Sequence, residues 1–183
     1  MVGLIILGVI VLAVLWAVAV FNRLVRNKNL VLEGWSGIDV QLKRRYDLIP
    51  NLVETIKGYT SHEEGVLTRV VELRNAAGKA QTAAEKAPIE TALTGMLRQV
   101  FALAEAYPDL KANQNFLDLQ GQLAEIEEQI QFSRRYYNGA ARDMNILVQS
   151  FPSNLIANAF RFPPAEYFEI ELATEREAPK VQF

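Results

Sequence analysis

Three short stretches hold side chains able to do chemistry. "HEE" at His62 to Glu64 resembles half of a zinc-protease motif, in which one helix face offers a metal two histidines four residues apart. The second histidine would stand at position 66, which is Val66. The chain has one His and no Cys. A multi-histidine or thiolate metal site, a Cys nucleophile and a disulfide framework are therefore excluded within one chain. Ser61 to Glu64 and Thr60 to Glu63 each have the spacing of a helix capping box, which is the reading preferred for this stretch.

"KRRYD" at Lys43 to Asp47 places three cations beside a carboxylate and a phenol. Lys43 and Asp47 are spaced for a one-turn ion pair. Arg45 falls on the apolar stripe of its helix, where a buried guanidinium needs a carboxylate. Pairing the first and last long helices antiparallel brings Glu127 and Glu128 opposite it. An internal Arg–Glu contact that sets helix register is the favoured reading. A solvated basic face and a lipid-headgroup or anion site are the alternatives. "RRYYN" at Arg134 to Asn138 could stack and neutralise single-stranded nucleic acid. The net charge of −2 argues against that, and Tyr137 fits a core position. No nucleophile–base–orienter set, phosphate-binding Gly loop or paired-carboxylate pocket is present in the pattern. The chain reads as non-enzymatic, without cofactor, metal or nucleic-acid partner.

The elements carrying these residues are helical. Val2 to Phe21 contains no charged side chain. At about 1.5 Å per residue it spans roughly 30 Å, a bilayer core. The "AVA" at Ala17 to Ala19 resembles a cleavage site, but no cation precedes the run and the run exceeds a signal peptide's apolar core. An uncleaved anchor is expected. Arg23, Arg26 and Lys28 follow the span, which places the remainder in the cytoplasm.

A heptad stripe then runs through Val31, Trp35, Ile38, Leu42, Ile49, Leu52, Ile56 and Tyr59, with Arg45 filling its gap. Pro50 is expected to kink this helix without breaking it. A second helix, or a continuation of the first, carries Val66, Val70, Leu73 and Ala77, with Gly78 as its stop. "KAQTAAEKAP" reads as a loop. A third helix over residues 89–106 turns Leu93, Leu97, Val100 and Leu103 inward. The longest seam steps through Phe116, Leu119, Leu123, Ile126, Ile130, Ser133, Tyr137, Ala140, Met144, Leu147 and Phe151, and Pro152 ends it. The expected fold is all-α: a transmembrane helix (1–21), an elongated antiparallel three- or four-helix bundle (22–160) and an extended aromatic and charged tail (161–183). Phe160, Phe162, Tyr167 and Phe168 either cap the bundle or form an interface, because aromatics are enriched at interface centres.

These residues together resemble the LemA family of bacterial membrane-anchored helical proteins. The resemblance rests on "FNRLV", "WSGIDVQLKRRYDLIPNLVETIKGY", the following "HE", "ANQNFLDLQGQLAEIEEQI", "SRRYYN", "SFPSNLIA", "AEYFE" and "PKVQF". Gly34 and Met144 depart from the family's usual Ala and Tyr. The resemblance implies a single-pass membrane protein with an antiparallel helical bundle and no agreed catalytic residue. Relatives are linked to membrane shaping in magnetosome-forming bacteria and to a membrane metalloprotease. Two functions are therefore expected as competitors: a self-assembling scaffold that shapes or organises membrane, and a tethered adaptor for another protein such as a membrane protease. The expected partners are membrane lipid, further copies of the chain and a second membrane protein.

Overall fold

The computed structural model describes residues 1–60 and 63–169. His62 and the capping spacing that begins at Ser61 lie outside the described residues, as does the tail from residue 170. The regular elements are helices: α1 (Val2–Lys57), α2 (Glu64–Lys79), α3 (Ala83–Ala104), α4 (Pro108–Lys111), α5 (Gln114–Gln149) and α6 (Ser153–Ala159). No strand occurs among the described residues. The expected anchor and first body helix are one element, and Pro50 lies inside it without interrupting it. Contacts group the described residues into two compact units.

The first unit comprises Met1–Ile38 and Ser133–Tyr167. Here α1 and α5 run antiparallel. Gly34 faces Tyr137 and Gly37 faces Ser133. Leu24 packs in a cluster with Met144, Leu147, Val148 and Ala157, flanked by Val20, Val31, Ile156 and Phe162. The apolar residues before Ala17 are exposed. An apolar helix can be left unburied by its own chain only where something other than water surrounds it.

Helix α5 ends two residues before the predicted seam does. The seam placed Phe151 inward, but Phe151 is 78% exposed. Helix α5 ends at Gln149, so the periodicity stops being realised there. Ser153 Oγ donates to the carbonyls of Leu147 (2.7 Å) and Ser150 (2.9 Å), satisfying acceptors that the helix end leaves open. After α6 the chain returns along α5. The Asn145 amide donates to the Ala165 carbonyl (2.9 Å) and accepts from the Ala165 N–H (2.7 Å). Tyr137 Oη donates to the Glu166 carbonyl at 2.7 Å. Burial, reinforced by the nearby Glu166 charge, pushes the Tyr137 phenol up from its ordinary pKa, so it stays a donor.

The second unit comprises Asp39–Phe132 and the described residues from Phe168 onward. Leu42, Ile49, Leu52 and Ile56 on α1 are fully buried, each worth about 1.5–3 kcal/mol of transfer free energy. Tyr59, predicted on this stripe, is exposed because α1 ends at Lys57. Its hydroxyl accepts from Asn113 Nδ2 at 2.7 Å. Helix α2 buries Leu67, Val70, Leu73 and Ala77. The predicted Val66 is only half-buried, and Leu67 takes the inward place. Gly78 sits within the last turn of α2 and has no left-handed φ. The Thr60–Glu63 capping box does not form. Thr60 Oγ1 donates backward to the Ile56 carbonyl, and Glu63 makes no side-chain cap bond.

The predicted loop over residues 79–88 shrinks to three residues. Thr82 and Glu85 form a reciprocal capping box: Glu85 N–H donates to Thr82 Oγ1 (3.2 Å), and Thr82 N–H to Glu85 Oε2 (3.4 Å). This starts α3 at Ala83 rather than Ile89 and carries Pro88 within the helix. The gained turn and a half places Lys86 on the helix, where it is buried along with Glu90.

Candidate functional site

Arg45 is 1% exposed on the inner face of α1. Its guanidinium meets three acceptors on two other helices. Nη1 donates to Glu127 Oε2 on α5 at 2.7 Å and to Thr94 Oγ1 on α3 at 3.0 Å. Nη2 donates to Glu90 Oε2 on α3. Glu90 has no exposed surface, and its other oxygen, Oε1, accepts from Tyr46 Oη. Burial is the main cause that drives the Tyr46 phenol far above its ordinary pKa, and the adjoining Glu90 carboxylate adds to it. A phenol that holds its proton is the donor Glu90 requires. Arg45 Nε alone lacks a partner within this cluster.

Nearly two turns earlier on α1, Asp39 carries two shallower ion pairs. Lys43 Nζ contacts Asp39 Oδ2 at 2.7 Å, and Lys86 Nζ donates to Asp39 Oδ1 at 2.8 Å. Lys43 thus reaches back a turn to Asp39, not forward to Asp47. The reason is that Lys86 holds Asp39 at the partly buried flank, while Asp47 is exposed. Glu128 is exposed too, whereas Glu127 turns inward to Arg45. Position 127 follows the buried Ile126, and position 128 faces away from the seam.

The hydrogen bonds from Lys43 and then Lys86 hold the Asp39 carboxyl below its ordinary pKa of 3.8. The folded state therefore binds fewer protons here than the unfolded state, so its stability rises with pH. The contribution is full above the unfolded value and is lost as pH falls through the folded one. Asp39→Asn is expected to flatten the acid limb of the melting temperature below about pH 4. An acid limb identical to that of the parent would remove Asp39 from the account.

Sequence reasoning found Arg45 and Glu127 but not Glu90, Thr94, Tyr46, Asp39 or Lys86. The signal available was the i, i+4 spacing of Lys86, Glu90 and Thr94. These lie on the same α3 face as Ala83, Ala87, Leu93 and Leu97. Reading Pro88 as a boundary hid that face.

Of the four aromatic candidates, Phe168 is fully buried and is a core residue, not an interface residue. Phe162 is half-buried, and its ring lies 5.8 Å from that of Phe21. Phe160 is 60% exposed, with its ring 4.8 Å from Phe21. Tyr167 is exposed.

Chemically, the Arg45 cluster is a set of paired charges in a packed interior. An open groove lined by Leu97, Phe101, Leu123 and Ala124 reaches Arg45 and Glu127 from outside, but its walls are apolar. Among the described residues no group of three or more His, Asp or Glu side chains is placed to hold a metal ion. What such a cluster does is fix which helix faces which: each wrong register strands a buried charge, at several kcal/mol.

An apolar helix of membrane-spanning length, leading into a helical body that is locked by buried ion pairs, defines a membrane-anchored helical protein. The chain belongs to the LemA family, whose model matches residues 34–183. It is similar to Protein LemA of Metamycoplasma hominis, 26% identical over 141 residues, covering 74% of this chain and 63% of that relative. It is also similar to Magnetosome protein MamQ 2 of Paramagnetospirillum magneticum, 24% identical over 163 residues, covering 73% of this chain and 59% of the relative. Magnetosome protein MamQ of Magnetospirillum gryphiswaldense is 20% identical over 162 residues, with coverage of 73% and 58%. The chain spans about six-tenths of the length of these curated relatives.

Proposed function

We propose that the chain is a non-enzymatic, single-pass membrane scaffold that self-assembles and shapes or organises the bilayer, with its helical body in the cytoplasm. The observation that carries this reading is the passage of α1 from its exposed apolar stretch into its packed stretch without a break. A flexible linker would leave the body free to tumble beside its anchor. A continuous helix makes the tilt of the span and the tilt of the packed stretch one variable. Copies that meet in the bilayer then impose a fixed angle on their anchors, which is the mechanical requirement for curvature. Exposed Tyr167 offers an aromatic contact for that meeting. The cytoplasmic placement rests on Arg23, Arg26 and Lys28 following the span.

Full-length protein reconstituted in vesicles and imaged by electron microscopy tests the reading. Rings, arrays or curved bilayers are expected. A discrete monomer or small oligomer on undeformed vesicles would instead favour an adaptor that binds another membrane protein, the reading consistent with the same anchor and exposed aromatics.

A further inference from the structure

The α5–α6 corner exposes three large apolar side chains within ten residues. Phe151, Leu155 and Phe160 are all more than half exposed, although the first unit has a core only one helix face away. Their height along α1 is fixed by contacts within that unit. Phe160 and Phe162 pack edge-on against Phe21. Val20 and Leu24 join the cluster around Ala157 of α6. Phe21 is the last residue of the apolar run that starts at Val2, about 30 Å long. If that run crosses a bilayer, α6 and its flanks lie at the level of the headgroups.

Charge marks the same level. Residues 1–32 and 144–165 carry Arg23, Arg26, Lys28 and Arg161 and no Asp or Glu, although the chain has 21 acidic residues. The whole chain is net acidic, yet the part beside the span is purely basic. Arg161 is exposed and holds a left-handed backbone (φ 55°) just past Phe160, the residue that caps α6. That conformation favours Gly or Asn, yet the position presents a cation.

We propose that the α5–α6 corner is a second membrane contact: Phe151, Leu155 and Phe160 insert into the headgroup–acyl boundary beside the span, and Arg161 with the cations after Phe21 selects an anionic lipid surface. The inference rests on the reading of Val2 to Phe21 as the membrane span. Apolar side chains flanked by cations at interfacial depth are the pattern of interface-lying segments, and cations near an anionic leaflet are attracted over a Debye length. A corner held at the surface adds a second fixed point to the helix pair. A single span can rotate about its axis, whereas a span plus a lateral contact cannot do so freely.

The absence of cysteine allows single labels to be placed at will. Full-length Phe151→Cys, Leu7→Cys and Lys79→Cys, each carrying the same environment-sensitive fluorophore, are reconstituted in vesicles of phosphatidylcholine with or without phosphatidylglycerol. Lipid-borne doxyl groups serve as quenchers. The label at position 151 is expected to be quenched about threefold more than that at 79, with blue-shifted emission, and more strongly when phosphatidylglycerol is present. Leu155→Asp in the 151-labelled protein should reduce the quenching, and Arg161→Glu should abolish its dependence on phosphatidylglycerol. Quenching at position 7 but no more at 151 than at 79 overturns the proposal and leaves the span intact. No quenching at position 7 overturns the span and the corner contact together. Protection of the 151 label from both lipid-borne and aqueous quenchers means that protein covers the corner, as a second copy would, and also overturns it.

Discussion

Arg45→Ala is expected to destabilise the chain by about 3–5 kcal/mol, a large share of the roughly 5–15 kcal/mol that holds a typical domain folded. The loss comes less from the attraction removed than from what is left behind. Glu90, with no exposed surface, would keep its Tyr46 hydrogen bond but lose its counter-charge. A buried carboxylate without a cation is among the costliest single defects available to a core. Glu90→Ala should cost less, about 2–3 kcal/mol, because the guanidinium keeps Glu127 and Thr94 while Nη2 and the Tyr46 hydroxyl lose their acceptor. Glu127→Gln should cost only about 1 kcal/mol, since its side chain is 30% exposed and water compensates part of the change. The effects of Arg45 and Glu90 share one interaction, so a double-mutant cycle should give strong coupling. Replacing the cluster by Arg45→Met, Glu90→Leu and Tyr46→Phe together should recover much of the lost stability, because apolar side chains of similar volume carry no desolvation cost. Urea unfolding of the full chain in mild detergent, followed by far-ultraviolet circular dichroism, reads all of these. A loss below about 1 kcal/mol for Arg45→Ala would mean the arginine is hydrated, and the register role would go to the apolar seam.

The register role also explains which parts of the fold the residue pattern made legible. Ile38, Leu42, Ile49, Leu52 and Ile56 recur at heptad steps, and all five are fully buried. Arg45 was visible as the one charge on that stripe, and antiparallel pairing was enough to bring Glu127 near it. Glu90 was not visible, because in a helix expected over 89–106 it reads as a solvated first-turn acid, whereas the capping box that starts α3 at Ala83 places it two turns in. Periodicity also overran real ends: Tyr59 and Phe151 keep phase with their seams but lie beyond Lys57 and Gln149. Phase is a property of spacing alone, whereas a helix end depends on hydrogen bonds. The Asn145–Ala165 amide pair joins positions 20 residues apart with no period between them. Pairing of that kind leaves no local trace. The exposed corner at Phe151, Leu155 and Phe160 was hidden for the related reason that aromatic residues suit a core, a partner and a bilayer interface equally well.

The second large effect is expected at Gly34, where α1 and α5 approach backbone to backbone. A Cβ built on Gly34 would lie 3.0 Å from Tyr137 Cα, 3.2 Å from Tyr136 Cδ1 and 3.3 Å from Tyr137 Cβ. Two of these three atoms belong to the α5 backbone or are attached directly to it, so rotating a side chain aside cannot relieve the contact. Gly34→Ala sets this crowding against the roughly 1 kcal/mol that helix propensity returns when glycine is replaced in a helix interior. The two terms nearly cancel, and a small change of either sign is expected. Gly34→Leu adds three more carbons at the same place with no further propensity gain. Over-packing a close helix contact costs about 1–3 kcal/mol and occasionally more, and the upper end applies where the obstruction is backbone. Gly37→Ala is the control one turn on. Its Cβ would meet only Ser133 Oγ, at an ordinary 3.9 Å, so stabilisation of about 0.5–1 kcal/mol is expected. Trp35 supplies a local readout, because its ring lies 5.6 Å from that of Tyr137. In a Trp16→Phe background its emission should shift when the helices are forced apart. Gly34→Leu is therefore expected to lower the urea midpoint and red-shift Trp35 in the native baseline, while Gly37→Ala raises the midpoint and leaves the emission alone. If Gly34→Leu unfolds within about 0.5 kcal/mol of the parent with unchanged emission, α1 and α5 are not in contact at this layer. The rigid coupling of the span to the packed helix pair would then lose its physical basis.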